Sequence, residues 1–428
     1  MPTVEQFTQL MAFRQAAYEI LGPARDALFE LTDAVMLTPS IQSFAELALC
    51  PAFRRQWSSV YEALQDGRPD RTGLLQLYSA HLPVLEQPLL VGDHTSWPRL
   101  GAATLRDRGF VHHPTPIRGN KPITVGHQYS TLAWIPPEQT GWAVPLLHER
   151  IPTSATPMET AAAQLRQVCA QLPGRPLGLW DSEYGCAPFL QAIADIPADH
   201  LIRLRPNRKL YGPPPPYRGW GRPRVHGAKF KLADPRTWPE PVETMQLTDP
   251  KWGPVTVQRW NALHLKEAPQ SSLVVLRIHR LEAKNTRREP QDLWLGWVGL
   301  PPPPLAEWWN RYGRRVLIEA WYRLAKGRLH WTVPHLKTPE QSQGWSDLMP
   351  LLSWQLWLAR PLVADTRLPW QKPQPHPTPQ RVLQGMGGLL TQIGTPTRWP
   401  KPRGKSPGWP RGRLRQRAER YEVVKKRA

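Results

Sequence analysis

Three acidic residues stand where carboxylates could carry out chemistry. Asp93 ends the apolar run of QPLLVGDHTSW, Asp181 ends that of PLGLWDSEYG, and Glu319 lies on a helix. Carboxylate oxygens suit magnesium, and a pair of such ions can activate a water or a 3′ hydroxyl for attack on phosphorus while stabilising the leaving oxygen. A single aspartate after a strand is more often a turn residue. The conjunction of all three predicts phosphodiester chemistry.

The segment RYGRRVLIEAWYRLAKGRLH spaces four polar residues unevenly. On one continuous helix at 100° per residue, Arg315, Glu319 and Lys326 fall within about 60° of Tyr312. Apolar residues occupy the opposite face, namely Leu317, Ile318, Trp321, Leu324 and Ala325. The simpler reading is a surface helix in which Glu319 pairs with arginines four residues away.

The surrounding elements must place the two aspartates together. We predict strands at 87–97, 122–135 and 141–151, a helix at 158–171, a strand ending at Asp181, a helix at 187–196 and a strand at 199–205. This order predicts an α/β fold, a mixed sheet flanked by helices. Neighbouring parallel strands would then end at the same edge, beside each other.

Residues 1–85 show helical patterns without a strand signal. We expect helices at 4–21, 23–36, 43–65 with a break at Pro51, and 70–81 with Asp70 as N-cap. Such an all-helical N-terminal domain fits a helix-turn-helix DNA reader, and it equally fits a packing domain.

The remaining chain divides by composition into a catalytic core and its additions. The core is expected at 86–205 and 301–365, with its last helices starting near 304 and at 345–364. A β-rich insertion at 206–300 opens with the loop YGPPPPYRGWGRPR. For residues 366–428 the sequence predicts a Pro-rich linker, a short helix at 379–393 and a basic tail.

Charge points to a polyanionic partner. The 428 residues carry a net charge of +21, and the pI is about 10.3. Nine basic residues and no acid lie between Leu201 and Lys231, including Arg203, Arg205 and Arg208, and twelve basic residues lie from Thr395 onward. A solvated tail is the simpler reading of each run, but phosphate neutralisation is favoured.

Cysteine use and hydropathy indicate the compartment. The three cysteines form no C-x-x-C pair, so neither a disulfide framework nor a structural zinc site is indicated. The N-terminus lacks a signal sequence, and the most apolar stretch, from 348, is interrupted by Pro, Gln and Arg. We expect a cytoplasmic, nucleoid-associated protein with no membrane partner.

These motifs resemble the D-D-E transposases of bacterial insertion sequences, which have an RNase H-like catalytic domain. The chain is similar to the branch marked by Y-x2-R-x3-E-x6-K, because Tyr312, Arg315, Glu319 and Lys326 match all four positions. The intervals 181 − 93 = 88 and 319 − 181 = 138 also fit, since the second one holds the β-rich insertion of that branch. The resemblance spans roughly 1–365, and the tail GKSPGWPRG resembles the basic termini of related transposases.

The resemblance implies roles for these residues. Asp93, Asp181 and Glu319 would bind two Mg²⁺ ions, for which Mn²⁺ could substitute. Tyr312, Arg315 and Lys326 would contact double-stranded DNA at the transposon ends. In that branch an insertion-domain tryptophan stacks on a flipped base, which makes Trp294 and Trp297 candidates, with Trp260 behind them; packing in a β core is equally compatible with each.

The implied reaction is cleavage at terminal inverted repeats followed by joining of the 3′ hydroxyl to target DNA, with two protomers synapsing two ends as a homodimer. Glu183 and His94 are expected to support the aspartates rather than bind metal, and His127 to be a core or hydrogen-bonding residue. Two rival readings are a nuclease without strand transfer and a catalytically silent DNA-binding protein.

Overall fold

The computed structural model forms two compact units, each assembled from separated stretches of sequence. Unit 1 comprises Met1–Pro83, His94–Pro157 and Glu319–Ala428, and unit 2 comprises Val84–Asp93 and Met158–Ile318. The structure describes residues 3–117, 121–138, 140–217, 219–250, 252–286, 290–364, 369–370, 376–402, 408, 410–414 and 416–425.

The secondary structure of these residues alternates strands and helices after a helical start. The helices are α1 (Val4–Ile20), α2 (Arg25–Leu37), α3 (Ser58–Asp66), α4 (Arg71–Ala80), α5 (Pro157–Cys169), α6 (Ala187–Ala192), α7 (Trp308–Gly313), α8 (Leu317–Gly327), α9 (Pro339–Ala359) and α10 (Pro379–Ile393). The strands are β1 (Leu89–Pro98), β2 (Gly109–Ile117), β3 (Lys121–Ile135), β4 (Val144–Ile151), β5 (Leu177–Trp180), β6 (Asp199–Leu204), β7 (Lys209–Tyr211), β8 (Lys229–Lys231), β9 (Glu243–Asp249), β10 (Gly253–Leu265), β11 (Ala268–Arg280) and β12 (Asp292–Val298). The boundary between the units falls inside β1 and inside α8.

Unit 2 is built on a mixed sheet. Its strands run in the order β1-β5-β6-β12-β11-β10-β7-β8, and β9 pairs with β10. The pairs β1–β5 and β5–β6 are parallel, whereas β6–β12 and the following pairs are antiparallel. The sequence order β5-α6-β6 has the form of a crossover between parallel neighbours, which needs a helix-length connection. The α/β class with a mixed sheet and helices, as expected of an RNase H-like fold, is confirmed.

Unit 1 surrounds the long helix α9. Strand β3 is a neighbour of β2, β4 and β1, and α9 packs against β4, where the Trp354 indole donates to the Pro145 carbonyl at 2.9 Å. The N-terminal helices share this core: Arg14 on α1 is buried, and it donates to Asp33 on α2 at 2.9 Å and to Gln355 on α9. Residues 1–83 thus lie in one compact unit with α9.

Most predicted helices are present, with altered ends. Asp70 caps α4 as expected, accepting from the amides of Thr72 and Gly73. The helix expected over 43–65 with a break at Pro51 is a 3₁₀ helix at Phe44–Leu49 followed by α3 from Ser58, so the break is present and is wider than predicted. The last core helix starts at Pro339 rather than 345, because the Thr338 side chain caps it by accepting from the Gln341 amide. The short helix at 379–393 is confirmed.

Four strands were not predicted individually, namely β2 and the insertion strands β7, β8 and β9. Strand β2 has the sequence GFVHHPTPI, and its prolines argue against a strand because each lacks an amide donor. Its regular strand pairing is with β3, so β2 is an edge strand, where proline is tolerated. The amide of Val424 in the C-terminal tail donates to the Arg108 carbonyl at 2.9 Å, next to a bridge between Gly109 and Val424.

Some sequence predictions fall outside the described residues. These are Arg218 in the basic loop, residues 366–368 and 371–375 of the linker, and residues 404–407 and 409 of GKSPGWPRG. No helix of the described chain is long and apolar enough to cross a membrane.

Candidate active site

The two aspartates occupy matching positions on neighbouring parallel strands. In the β1–β5 register, Leu89 faces Leu177 and Gly92 faces Trp180, so Asp93 and Asp181 follow at the next position of each chain. Neighbouring strands lie about 4.8 Å apart. As predicted, Asp93 and Asp181 therefore follow neighbouring parallel strands at matching positions, and both lie in unit 2.

Glycine at position 92 makes room for a tryptophan beneath the site. A Cβ on Gly92 would lie 2.0 Å from the Trp180 ring, closer than any real contact permits. The Trp180 indole is fully buried and donates to His200 Nδ1 at 3.2 Å, so it cannot move aside. The ring fixes the ends of β1 and β5 directly before Asp93 and Asp181.

Negative charge converges on a buried tyrosine beside the aspartates. A turn closed by the Tyr184 amide on the Asp181 carbonyl, at 3.0 Å, returns the Tyr184 ring onto Trp180, with centroids 5.1 Å apart. Burial raises the pKa of Tyr184 well above 10, and the carboxylates of Asp93, Glu183 and Asp181 raise it further. The three carboxylates therefore act on one common point.

Arginine side chains balance this negative charge. Arg315 Nη1 lies 3.5 Å from Asp93 Oδ2, and both side chains are largely buried. Burial raises the pKa of Tyr312 to about 12; the charges of Arg315 and Arg203 lower it, and that of Asp181 raises it. Arg203, Arg315 and Tyr312 are thus close to the aspartates. Arg205 is more exposed and pairs with the half-exposed Glu183 at 3.4 Å.

The signature residues do not lie on one continuous helix, so that prediction was wrong. A 3₁₀ turn at Arg314–Val316 separates α7 from α8, and a 3₁₀ turn advances about 120° per residue instead of 100°. Tyr312 is consequently buried, whereas Glu319 is exposed. The tyrosine ring belongs to the packed face of α7, together with Trp308 and Trp309.

Unit 1 carries the other two signature residues, on the same face of α8. Glu319 lies in its first turn, and Lys326 in its last. Lys326 Nζ donates to Thr95 Oγ1 on β1 at 2.7 Å and lies 5.8 Å from the centre of the Trp331 ring. Lys326 therefore has a structural attachment besides any contact with DNA.

The tryptophans proposed for base stacking are buried. Trp294 packs against Trp238 and Trp260, and Trp297 packs against Trp308 while donating to the Leu300 carbonyl at 2.8 Å. Neither ring presents a face to solvent. The alternative that the sequence left open, packing in a β core, describes both residues in this structure.

An exposed aromatic and basic surface lies instead in the insertion loop. Tyr217 and Trp220 are 58% and 91% exposed, and they line a hollow of about 340 Å³ together with Arg222 and Arg224. Sequence reasoning counted the basic residues of this loop but missed its tryptophan. The flanking Pro and Gly residues were the available signal, because they leave a side chain little to pack against.

Two further residues singled out in the sequence, Arg208 and His127, are partly or fully buried. Arg208 is half-buried at the start of the loop. His127 is buried, and its Nε2 lies 3.0 Å from the Arg106 carbonyl, while burial lowers its pKa to about 4. His127 is therefore a hydrogen-bonding core residue, as predicted.

The donor set fits a magnesium site completed by substrate. Among the residues that the structure describes, no group of three or more His, Cys, Asp or Glu side chains is arranged to hold a metal ion by itself. Magnesium commonly takes one or two protein carboxylates, with phosphate oxygens and water as its other ligands. Asp93 and Asp181 match that requirement.

Comparison with known protein families identifies the family of this chain. A family model described as "DDE superfamily endonuclease" matches residues 18–262. The match contains both aspartates and their strands and ends before Glu319. No curated protein sequence matches the chain.

Proposed function

The chain belongs to the DDE superfamily of endonucleases, and from that premise we propose that it is the transposase of an insertion sequence. Its substrate is DNA, and enzymes of this superfamily use divalent metal ions. The observation that carries the proposal is the register of β1 and β5, which aligns Asp93 with Asp181 beside Arg315.

The proposed metal ligands are Asp93, Asp181 and Glu319. Two Mg²⁺ ions bound there, or Mn²⁺ in their place, would activate the attacking oxygen and stabilise the leaving one. Arg315 and Arg203 supply positive charge next to the aspartates, and a guanidinium can bind a phosphate through two parallel hydrogen bonds. These arginines would hold the phosphodiester that is cut.

The reaction has two displacements at phosphorus. Water first attacks the phosphodiester at the transposon end, and the 3′ oxygen leaves as a 3′ hydroxyl. That hydroxyl then attacks a phosphodiester of the target DNA, forming the new bond and releasing a target 3′ hydroxyl. Each displacement breaks one P–O bond and forms another.

DNA contacts are proposed for several surfaces. Tyr312, Arg315 and Lys326 would meet the transposon end, with Tyr312 becoming accessible only if its side chain moves from the buried position. Arg203, Arg205, Arg208 and the exposed loop with Trp220 would extend the contact. The helical residues 1–85 and the basic tail would bind terminal inverted repeats, and two protomers would synapse two ends.

The test is joining of a pre-cleaved DNA end to a plasmid, with hydrolysis measured in parallel. Asp93→Asn, Asp181→Asn and Glu319→Gln should each reduce both activities at least about 1,000-fold, since each removes an ionised ligand. Glu183→Gln is the matched control; it removes a carboxylate paired with Arg205 and should change the rate by less than about threefold.

Each other outcome has a meaning. Hydrolysis without joining would indicate an endonuclease that lacks strand transfer, and binding without either activity would indicate a silent DNA-binding protein. Full activity of Glu319→Gln alone would show that the third ligand is elsewhere. Inverted repeats and short target duplications flanking the coding sequence would support the transposase independently.

A further inference from the structure

A chain of buried hydrogen bonds lies under helix α8 in unit 1. The Tyr322 hydroxyl on α8 donates to Thr131 Oγ1 on β3 at 2.9 Å, and Thr131 Oγ1 lies 2.8 Å from His148 Nδ1 on β4. Thr131 and His148 are directly opposite each other in the β3–β4 register. All three side chains are buried, in surroundings made mainly of Tyr129, Trp321 and Trp331.

The imidazole in this chain of hydrogen bonds is uncharged. Burial lowers the pKa of His148 to about 3, and the charge of Lys326 adds to the effect, so the imidazole is neutral. Because Thr131 accepts from Tyr322, its single hydroxyl hydrogen is free to donate to His148 Nδ1. Thr131 Oγ1 can equally accept from both neighbours, because a hydroxyl oxygen has two lone pairs, so either ring nitrogen of His148 can carry the proton. The hydroxyls of Tyr322 and Thr131 are hydrogen-bonded, whereas His148 Nε2 has no hydrogen-bond partner among the described residues.

A buried hydroxyl is a demanding choice at position 322. Phenylalanine would fill the same space, whereas an unsatisfied buried hydroxyl costs about 1–3 kcal/mol. Hydrogen bonds between buried groups fix the relative positions of their elements more strictly than apolar packing does. The hydroxyl therefore serves orientation more than packing.

Helix α8, which carries Tyr322, also carries two residues that are proposed to bind metal and DNA. Within α8, Tyr322 follows Glu319 by three residues and Lys326 follows it by seven, so all three share one face. Lys326 is attached separately, through its hydrogen bond to Thr95 on β1. Two attachments on different strands, one turn apart, prevent α8 from rotating about its axis.

We propose that Tyr322, Thr131 and His148 are positioning residues that set the rotation of α8 and thereby aim Glu319 at its metal ion. The proposal rests on the proposed function, because it takes Glu319 as a metal ligand. Residues that orient metal ligands typically change metal affinity by about 10–100-fold when removed.

The experiment measures Mn²⁺ binding to the full chain saturated with a short DNA duplex, which supplies the phosphate ligands, from the electron paramagnetic resonance signal of free Mn²⁺ and with the duplex alone as the blank. Tyr322→Phe and Thr131→Val should each weaken binding about tenfold. Thr131→Ser keeps the hydroxyl and should bind within about twofold of the unaltered chain. Near-ultraviolet circular dichroism verifies that each variant is folded at the temperature used.

A matched control removes a buried hydroxyl elsewhere in unit 1. Tyr78 on α4 is buried, and its hydroxyl has no hydrogen-bond partner among the described residues. Tyr78→Phe should leave Mn²⁺ binding unchanged. Equal weakening by Tyr78→Phe and Tyr322→Phe would overturn the proposal, since both would then reflect a general loosening.

Glu319→Gln separates the two proposals. If it weakens Mn²⁺ binding while Tyr322→Phe and Thr131→Val do not, the positioning role is wrong and the ligand assignment stands. If Glu319→Gln leaves binding unchanged, the ligand assignment is wrong, and the positioning proposal is overturned with it.

Discussion

At the scale of single residues, the aspartates were predictable and the glycine before one of them was not. Asp93 and Asp181 each follow an apolar run, and the strand order allows their alignment. Gly92 carries no pattern of its own in the sequence. Its need appears only in three dimensions, where the partner strand lays the Trp180 ring across it.

Gly92→Ala tests this close packing. The added methyl group would meet a buried ring at 2.0 Å, and overpacking of this kind costs about 1–3 kcal/mol. We expect a melting temperature several degrees lower than that of the unaltered chain. Gly313→Ala is the control, because a Cβ there meets nothing within 4 Å. Equal melting temperatures for the two variants would contradict the packing argument.

Buried histidines predict how stability depends on pH. Burial lowers the pKa of His127 to about 4, and lowers those of His148 and His200 to about 3. In the unfolded chain the histidine pKa values are near 6.5. Between about pH 3 and pH 6.5 the unfolded chain therefore binds more protons than the folded chain. The stabilisation is complete above about pH 6.5 and declines as the pH falls toward 3.

Urea denaturation at several pH values measures this trend. The free energy of unfolding should fall continuously from pH 6.5 to pH 4. His148→Gln, if folded, should make the dependence shallower, whereas replacing the exposed His112 should not alter it. A flat profile from pH 6.5 to 4 would show that these histidines are not neutral and buried.

At the scale of elements, periodicity located most helices and strands but not their interruptions. The angle count over Tyr312–Lys326 assumed one α-helix, and the 3₁₀ turn at Arg314–Val316 changed the result for Tyr312. Such a turn depends on how the flanking helices pack, which a residue pattern does not record. Strand β2 was missed for the opposite reason, because its prolines resemble a loop.

A capping side chain determined the start of α9, which predicts a measurable difference between two threonines. Thr338 accepts from the Gln341 amide, whereas Thr378 before α10 makes no side-chain cap. Thr338→Ala should lower the free energy of unfolding by about 1 kcal/mol. Thr378→Ala should change it by less than half as much. Equal losses from the two variants would remove the explanation for the earlier helix start.

At the scale of the whole molecule, composition correctly indicated that the partner is a nucleic acid. The net charge of +21 pointed to nucleic acid, and the family substrate is DNA. Composition could not show which segments share a core, since that depends on contacts between residues far apart in the chain. The helical residues 1–83 looked separable, yet they belong to unit 1 with α9 and the C-terminal segment.

A fragment of residues 1–83 tests this dependence. Arg14, Asp33 and Glu30 are buried in the full chain, with partners that include Gln355 and Thr397. Without those partners the fragment would expose charged groups and apolar surface that the full chain covers. We expect no cooperative thermal transition by circular dichroism. A sharp transition would indicate an independent domain, as a separate DNA reader would be.

The contact of Arg14 with Gln355 joins residues 341 positions apart. Protein synthesis proceeds at about 5–20 residues per second, so the partner leaves the ribosome roughly 20–70 seconds after the arginine. The first helices to be made must wait through that interval with an unfinished core. Helper proteins that bind nascent chains would therefore meet this N-terminus before its own C-terminal segment does.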